Sequence, residues 1–499
     1  MKALKKVLAL CLAAILLLAL SPAAFADGEQ TATVTITGAA YYETYNFYQL
    51  FSVNSVVTTE DNKTLISYEV NPSWKNFFET GAGKDYIKLD NGNPTWQGEE
   101  TAERVKAFAD AAFAYAKSTP VTPTKSQPFT GSEDGSDAGK TGTLTVNDLP
   151  LGYYLVDTSL GALLNLESAH ESVTIQEKNS VPTFKKEVEV TPGNWGSSNT
   201  AKIGDTVKFK SEFTIGKGND YDYFFKDTMS EGLTLNTNSI KVQAKQKDGT
   251  LSDVTKGEAN YTDLTKGEAD TFTFGLKFAQ AFIEKYREGT VVITYSAVLN
   301  ENAKIDDANP NPNDATLEYN NKTLKGHTDT YTYQFDLVKY YTDASGKKKL
   351  LKEAEFKLFE NETGGDAIQF VTNGDKTEYR VAKPGETGAV DTIVTLGTEK
   401  INIKGLDKKT YYLEETKAPG GYNKLKKRVD VDLTNGSLKA TTEGTFYQDR
   451  TGVQVENKSG TTLPSTGGMG TTLFYVVGGL LMVCAVVLLV TKKRMEKNA

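Results

Sequence analysis

The stretch Thr290-Val291-Val292-Ile293-Thr294-Tyr295-Ser296-Ala297-Val298-Leu299 is dense in β-branched residues and carries no charge. Such a run reads as a strand, because branched and aromatic side chains pack well on a pleated surface. Comparable runs stand at Thr31 to Thr37 and Thr206 to Ile215, with Gly, Asn, Asp and Pro breaking the chain between them. Short strands with turn chemistry between them predict a mainly β protein of tandem immunoglobulin-like sandwiches rather than strand-helix alternation. One segment departs from this pattern. From Glu99 to Lys117, Val105, Phe108, Ala109, Ala112, Phe113 and Ala116 recur at helical spacing, predicting one amphipathic helix laid on a sheet of the first domain. The Pro-rich Pro120 to Pro128 and the Gly/Ser/Asp run to Gly142 predict a long surface loop.

At 499 residues and 38% hydrophobic, the chain is long and apolar enough for several cores. Its two cysteines, Cys11 and Cys484, sit in apolar end segments, which excludes disulfides and thiolate metal sites between them. His170 and His327 are isolated in sequence, so neither a zinc centre nor a Ser-His-Asp triad has the residues it needs. No motif implies a cofactor or a metal. Many acidic residues could form carboxylate pairs, but no signature organises them into a glycosidase site. Tyr41, Tyr42, Tyr45 and Tyr48 read as core or cross-strand packing before they read as a binding face.

The two ends read as addresses. Lys2, Lys5 and Lys6, the apolar Val7 to Leu20 and the small-residue exit at Ala24-Phe25-Ala26 predict a signal peptide over 1–26. At the other end, Leu463-Pro464-Ser465-Thr466-Gly467 precedes the uncharged Leu473 to Val490 and then Lys492, Lys493 and Arg494. The apolar run is long enough to span a bilayer, with the basic residues on the cytoplasmic side. Motif, apolar segment and basic tail in that order resemble the cell-wall sorting signal of Gram-positive bacteria. The resemblance implies that a sortase cysteine attacks the Thr466–Gly467 bond and passes the Thr466 acyl group to an amine, so membrane contact lasts only until cleavage. Without the two ends, basic residues fall from 56 to 49 and acidic residues from 64 to 63, a net charge of −14. That sign disfavours nucleic acid as a partner.

Internal echoes place the domains. Gly152-Tyr153-Tyr154-Leu155-Val156-Asp157-Thr158 echoes Thr410-Tyr411-Tyr412-Leu413-Glu414-Glu415-Thr416, and Tyr48-Gln49-Leu50-Phe51 echoes Phe356-Lys357-Leu358-Phe359. The expected domains are 27–181, 182–329 and 330–460, followed by the sorting region 461–499.

In Phe335-Asp336-Leu337-Val338-Lys339, alternation puts Lys339 on the face of Phe335 and Leu337. An ammonium buried there is costly and tends to lose its proton, leaving a nucleophilic amine. Tyr411 to Tyr422, reading YYLEETKAPGGY, resembles the signature of Cna B-type repeats, and Val453-Gln454-Val455-Glu456-Asn457 resembles their final strand. In that family a buried Lys attacks an Asn side chain, with a buried carboxyl helping, to form an intramolecular isopeptide bond and release ammonia. The resemblance implies Lys339 as nucleophile, Asn457 as acceptor and Glu415 as proton shuttle; Glu414 falls on the opposite face by alternation.

The central domain carries a second set. Phe184, Lys186, Val188 and Val190 share a strand face, which favours Lys186 over Lys185 as the inward lysine. Lys226-Asp227-Thr228-Met229 with Gly232-Leu233 resembles the Asp segment of Cna A-type and fimbrial middle domains. Asn313-Asp314-Ala315-Thr316-Leu317-Glu318-Tyr319 resembles their acceptor strand. Lys186, Asp227 and Asn313 are the implied set, and Asn321, of the same parity, is the alternative acceptor. The opening strand of the first domain has no lysine, so no internal bond is expected there, with Asp157 at the position of Glu415.

The whole arrangement resembles the major (backbone) pilins of Gram-positive bacteria. The family implies subunits joined by a pilin-type sortase from the sorting-signal Thr of one to a Lys at the end of the next one's first domain, usually within Tyr-Pro-Lys-Asn. Here the matching residues are Gln176-Glu177-Lys178-Asn179, so Lys178 is the implied acceptor although Tyr-Pro is replaced. Implied partners are identical subunits, a pilin-type and a housekeeping sortase, peptidoglycan, and accessory pilins or a host surface ligand. The alternative is a singly anchored adhesin or accessory pilin.

Overall fold

The computed structural model describes residues 31–59, 64–132, 137, 140–158, 161–165, 172–177, 180–216, 222–246, 248–305, 307–319, 322–449, 451–460 and 470–496. The expected signal peptide, Lys178, Asn321 and the Leu463 to Gly467 motif lie outside them. The chain divides into two compact units, Met1–Thr332 and Tyr333–Ala499.

The first unit holds two sandwiches. In the first, Thr31–Ala40 runs between Ser172–Gln176, which it pairs in parallel, and Thr141–Pro150. The facing sheet is built on Thr44–Thr58, flanked by Thr64–Val70 and Gly152–Thr158. Val34, Ile36, Tyr45, Phe47, Val146 and Val156 fill the space between the sheets. The expected helix forms over Ala102–Ser118, where the Thr101 side chain caps it by accepting from Arg104 N–H at 3.2 Å. Its Phe108, Ala109, Ala112 and Ala116 pack with Trp74, Phe77 and Phe78 over Leu50, Phe51 and Leu155.

The expected long loop after the helix is in part a strand. Lys125–Pro128 pairs with the start of Thr44–Thr58, ending with Pro128 opposite Thr44. Proline is tolerated at such an edge because its missing N–H faces away from the ladder. Tyr45 is fully buried and Tyr41 stacks on Phe129 at 4.4 Å, so these tyrosines serve packing.

The second sandwich stacks two six-stranded sheets. One contains Phe184–Thr191, Thr206–Thr214, Thr290–Leu299 and Leu233–Lys245 in that order; the other contains Lys322–Tyr331, Asn311–Tyr319, Tyr223–Met229 and Phe274–Phe278. Along Thr290–Leu299, Val291, Ile293, Tyr295, Ala297 and Leu299 are all buried, as period-two alternation requires. The last strand continues to Tyr331, which pairs with Thr200, so this sandwich extends past residue 329.

In the second unit, Tyr333–Thr342 lies beside Ile401–Leu406 and takes the final strand Val453–Glu456 in parallel. The opposing sheet orders Ile393–Leu396, Lys352–Phe359, Thr410–Lys417 and Val429–Asp432. Helix Gly470–Met495 includes Leu473–Met495, long and apolar enough to cross a membrane, with Lys492, Lys493 and Arg494 in its last turn.

Candidate functional sites: two dry lysine clusters

In the second unit, strand phase carries Lys339 inward with Phe335 and Leu337. Val455 is the register partner of Lys339, and Asn457 follows two residues on, where its N–H donates to the Tyr340 carbonyl at 3.0 Å. The first and last strands of the sandwich thus bring Lys339 and Asn457 side by side. Glu415 arrives from the opposing sheet, beside Phe356. Lys339 Nζ lies 3.1 Å from Glu415 Oε1, with both side chains sealed from solvent. The other carboxylate oxygen, Oε2, accepts from Leu425 N–H at 2.8 Å and from Asn457 Nδ2 at 3.1 Å.

Lys339 Nζ, Glu415 Oε1 and Asn457 Oδ1 are buried without an aligned hydrogen bond. Three such atoms in one cluster are expensive in a folded protein and call for an explanation. Burial pushes the Lys339 amine below its ordinary range, and the facing Glu415 only partly offsets this. Glu414, as alternation predicts, points away and accepts from Arg428 Nε at 3.0 Å.

The central sandwich has a second cluster, assembled differently. Lys186 sits on one sheet, while Asp227 and Asn313 sit on neighbouring strands of the other. Asp227 pairs with Ala315 and Met229 with Asn313, so the carboxyl and the amide are diagonal neighbours on one face. Lys186 Nζ lies 2.6 Å from Asp227 Oδ2, both side chains fully buried. Lys185 is exposed and pairs with Glu187 at 2.6 Å. Burial lowers the Lys186 pKa and raises that of Asp227, each partner opposing the other's shift. Asp227 Oδ1 and both polar atoms of the Asn313 side chain lack an aligned hydrogen bond.

Two residues here escaped the sequence reading. The Tyr295 hydroxyl, from the neutral run on the lysine's own sheet, hydrogen-bonds both Lys186 Nζ and Asp227 Oδ2. Its signal was a polar-tipped residue at an inward position of an apolar run. Gly326, on the last strand, lets that strand pass against the lysine: a Cβ there would stand 2.6 Å from Lys186 Cβ and 3.3 Å from its backbone nitrogen.

In the first sandwich Thr31–Ala40 brings no lysine inward. The Asp157 side chain lies outside the described residues. Glu177, just past the edge strand Ser172–Gln176, donates its N–H to the Thr37 carbonyl at 2.9 Å; the implied acceptor Lys178 lies outside the described residues. Among the described residues, no group of three or more His, Cys, Asp or Glu side chains could hold a metal ion.

Sandwiches with dry Lys-carboxyl-Asn clusters, ahead of an apolar helix with a basic end, define a class: anchored surface proteins of repeated β-domains. The comparisons specify it. Residues 203–323 match the Gram-positive pilin backbone subunit 2, Cna-B-like domain; 337–445 match the SpaA prealbumin-like fold domain; and 455–497 match the LPXTG cell wall anchor motif. The trypsin-resistant surface T6 protein of Streptococcus pyogenes serotype M6 is 25% identical over 384 residues, covering 64% of this chain and 70% of that one. Solved pilus backbone proteins are similar as well. The group B streptococcus pilus 2b backbone protein is 27% identical, with 56% of this chain and 99% of that chain covered and a TM-score of 0.42. The T6 backbone pilin of S. pyogenes is 18% identical, with 87% and 95% covered and a TM-score of 0.47.

The chain belongs to the LPXTG-anchored major (backbone) pilins of Gram-positive bacteria. It is a structural shaft subunit of a sortase-assembled pilus held at the cell wall, and a sortase substrate rather than an enzyme.

Proposed function

We propose that this shaft is covalent at two levels. Between subunits, sortase transfers the Thr466 acyl group of one chain to the Lys178 amine of the next. Within each subunit, Lys186 is joined to Asn313 with Asp227 assisting, and Lys339 to Asn457 with Glu415 assisting. A pilin-type sortase builds the polymer, a housekeeping sortase transfers it to peptidoglycan, and accessory pilins or a host surface ligand meet the finished fibre.

The observation that carries the intramolecular reading is the coincidence of three groups in each dry interior: an amine facing a carboxyl, and a side-chain amide with an unsatisfied oxygen. The chemistry follows from these contacts. Proton transfer from lysine to carboxyl leaves a neutral amine and a neutral acid, which a low-dielectric interior tolerates better than a charged pair. The amine attacks Cγ of the asparagine, the acid donates to the amide oxygen as charge develops there, and the proton then leaves with Nδ2 as ammonia. In the last sandwich the product ties first strand to last, so tension along the chain meets an amide rather than a peeling sheet edge. In the central sandwich it ties the two sheets together.

Mass spectrometry of wall extracts from the producing organism tests both levels. Each internal bond removes the mass of one ammonia and yields a branched tryptic peptide; the intersubunit bond yields a Thr466–Lys178 branch. Another lysine joined to Thr466 would overturn the Lys178 assignment. Thr466 attached to wall peptide without any high-mass ladder would favour a singly anchored adhesin.

A further inference from the structure

We propose that Tyr295 is the positioning residue of the central cluster, holding the amine and carboxyl in register and relaying the proton between them. The inference rests on the isopeptide reading above and adds a group to it.

The geometry sorts the carboxyl oxygens. Tyr295 hydroxyl and Lys186 Nζ both occupy Asp227 Oδ2, leaving Oδ1 unpartnered on the strand next to Asn313. With Oδ2 engaged, the acid presents its proton from Oδ1, the oxygen free to serve the amide. In the last sandwich the Leu425 N–H grips Glu415 Oε2, the oxygen that also meets Asn457 Nδ2, while Oε1 faces Lys339 Nζ. Each cluster therefore pins one carboxyl oxygen with a group that is not consumed, a backbone amide in one and a phenol in the other. Tyr295 is itself held firmly, stacked on Phe209 at 5.6 Å and edge-on to Phe274 at 5.0 Å. Burial, with Asp227 adding to it, keeps the phenol protonated and able to donate.

The step balances. As the Lys186 Nζ–Asn313 Cγ bond forms, Nζ passes one proton to the Tyr295 oxygen, which passes its own to Asp227 Oδ2. Asp227 gives the proton on Oδ1 to Asn313 Nδ2, the Cγ–Nδ2 bond breaks, and ammonia leaves. Tyrosine and aspartic acid end as they began, and nothing is oxidised or reduced.

The test is the full chain made by cell-free synthesis and sampled over time, with the branched Lys186–Asn313 and Lys339–Asn457 peptides quantified in the same molecules. Tyr295→Phe should slow the first bond by about tenfold or more, the effect of losing one hydrogen bond worth roughly 1.4 kcal/mol in the transition state. The second bond should form at its normal rate. Site-specific difluorotyrosine at position 295 keeps the shape and makes the phenol more acidic, so it should shift the pH profile of the first bond alone. That readout survives if Tyr295→Phe fails to fold. A wild-type rate in Tyr295→Phe, or an unchanged pH profile with difluorotyrosine, overturns the inference. Absence of the Lys186–Asn313 branch in the unaltered chain would instead defeat the isopeptide reading beneath it.

Discussion

The side-chain amide of Asn457 donates to Glu415 at 3.1 Å inside a sandwich where both residues are almost wholly buried. The contact joins the final strand to the opposing sheet, and the lysine that faces the same carboxyl comes from the first strand. Removing the carboxyl's charge and proton, while keeping its size, isolates its role. Glu415→Gln removes the acid that serves the Asn457 amide, so it should block the bond and leave the buried Lys339 amine without its partner. The expected result is a chain that keeps the ammonia the parent loses, with a lower melting temperature and faster proteolysis of this sandwich.

Gly326 supplies a steric test of the central cluster. A methyl group at this position meets Lys186 Cβ at 2.6 Å and the Phe184 ring at 3.1 Å, both in packed strands with little freedom to move. Gly326→Ala should therefore destabilise this sandwich by about 1–3 kcal/mol, the usual cost of overpacking. Because the displaced atom carries the amine, the Lys186–Asn313 branch should also fall in yield while Lys339–Asn457 stays complete. Paired thermal melts and peptide quantification read both effects.

What sequence reading recovers here, and what it misses, follows from the period of a strand. Alternation assigns Lys186 and Lys339 to inward faces and Lys185 and Glu414 to outward ones, because a one-residue shift reverses a side chain's direction. It carries no information about which inward residue on another strand will be met. Tyr295 was inward in the sequence, but its meeting with Lys186 depends on register between strands more than 100 positions apart. The strand Lys125–Pro128 was hidden for a different reason: its proline and polar residues read as loop, and only an available edge beside Thr44–Phe47 makes it a strand. The ion pair between Glu43 and Lys322 bridges the first and central sandwiches, and nothing local to either residue announces it.

His327 offers a pH-dependent readout near the central cluster. Its Nδ1 stands 2.7 Å from Asp314 Oδ1 and its Nε2 3.1 Å from Asp329 Oδ1. The hydrogen bond to Asp314, aided by Asp329, raises the imidazole pKa above its ordinary 6.5. Since the native state then holds the proton more tightly than the unfolded chain, the contribution is fully present below pH 6.5 and is lost as pH rises through the native pKa. The pair is exposed, so the effect should be small, about 0.2–1 kcal/mol. An NMR titration of the His327 ring should give an elevated pKa, and His327→Gln should flatten the stability profile in that window.

Glu43 and Lys322 make the last prediction. Glu43 is sealed between the first two sandwiches, and its Oε1 is paired with the Lys322 amine at the start of the central sandwich's final strand. Burial raises the Glu43 pKa, and Lys322 holds that shift in check. Lys322→Met removes the partner and leaves a buried carboxylate, so it should cost about 3–5 kcal/mol at neutral pH. The loss should shrink in acid. With its pKa raised in the native state, Glu43 binds a proton more readily folded than unfolded, so the variant's stability falls as pH rises from about 4.5 through the native value. Replacing both residues by Met removes the stranded charge and should recover most of the loss, because well-packed apolar side chains substitute for a buried pair. A double-mutant cycle by urea denaturation, run at acid and neutral pH, reads all three expectations; equal losses at the two pH values would refute the buried-charge account.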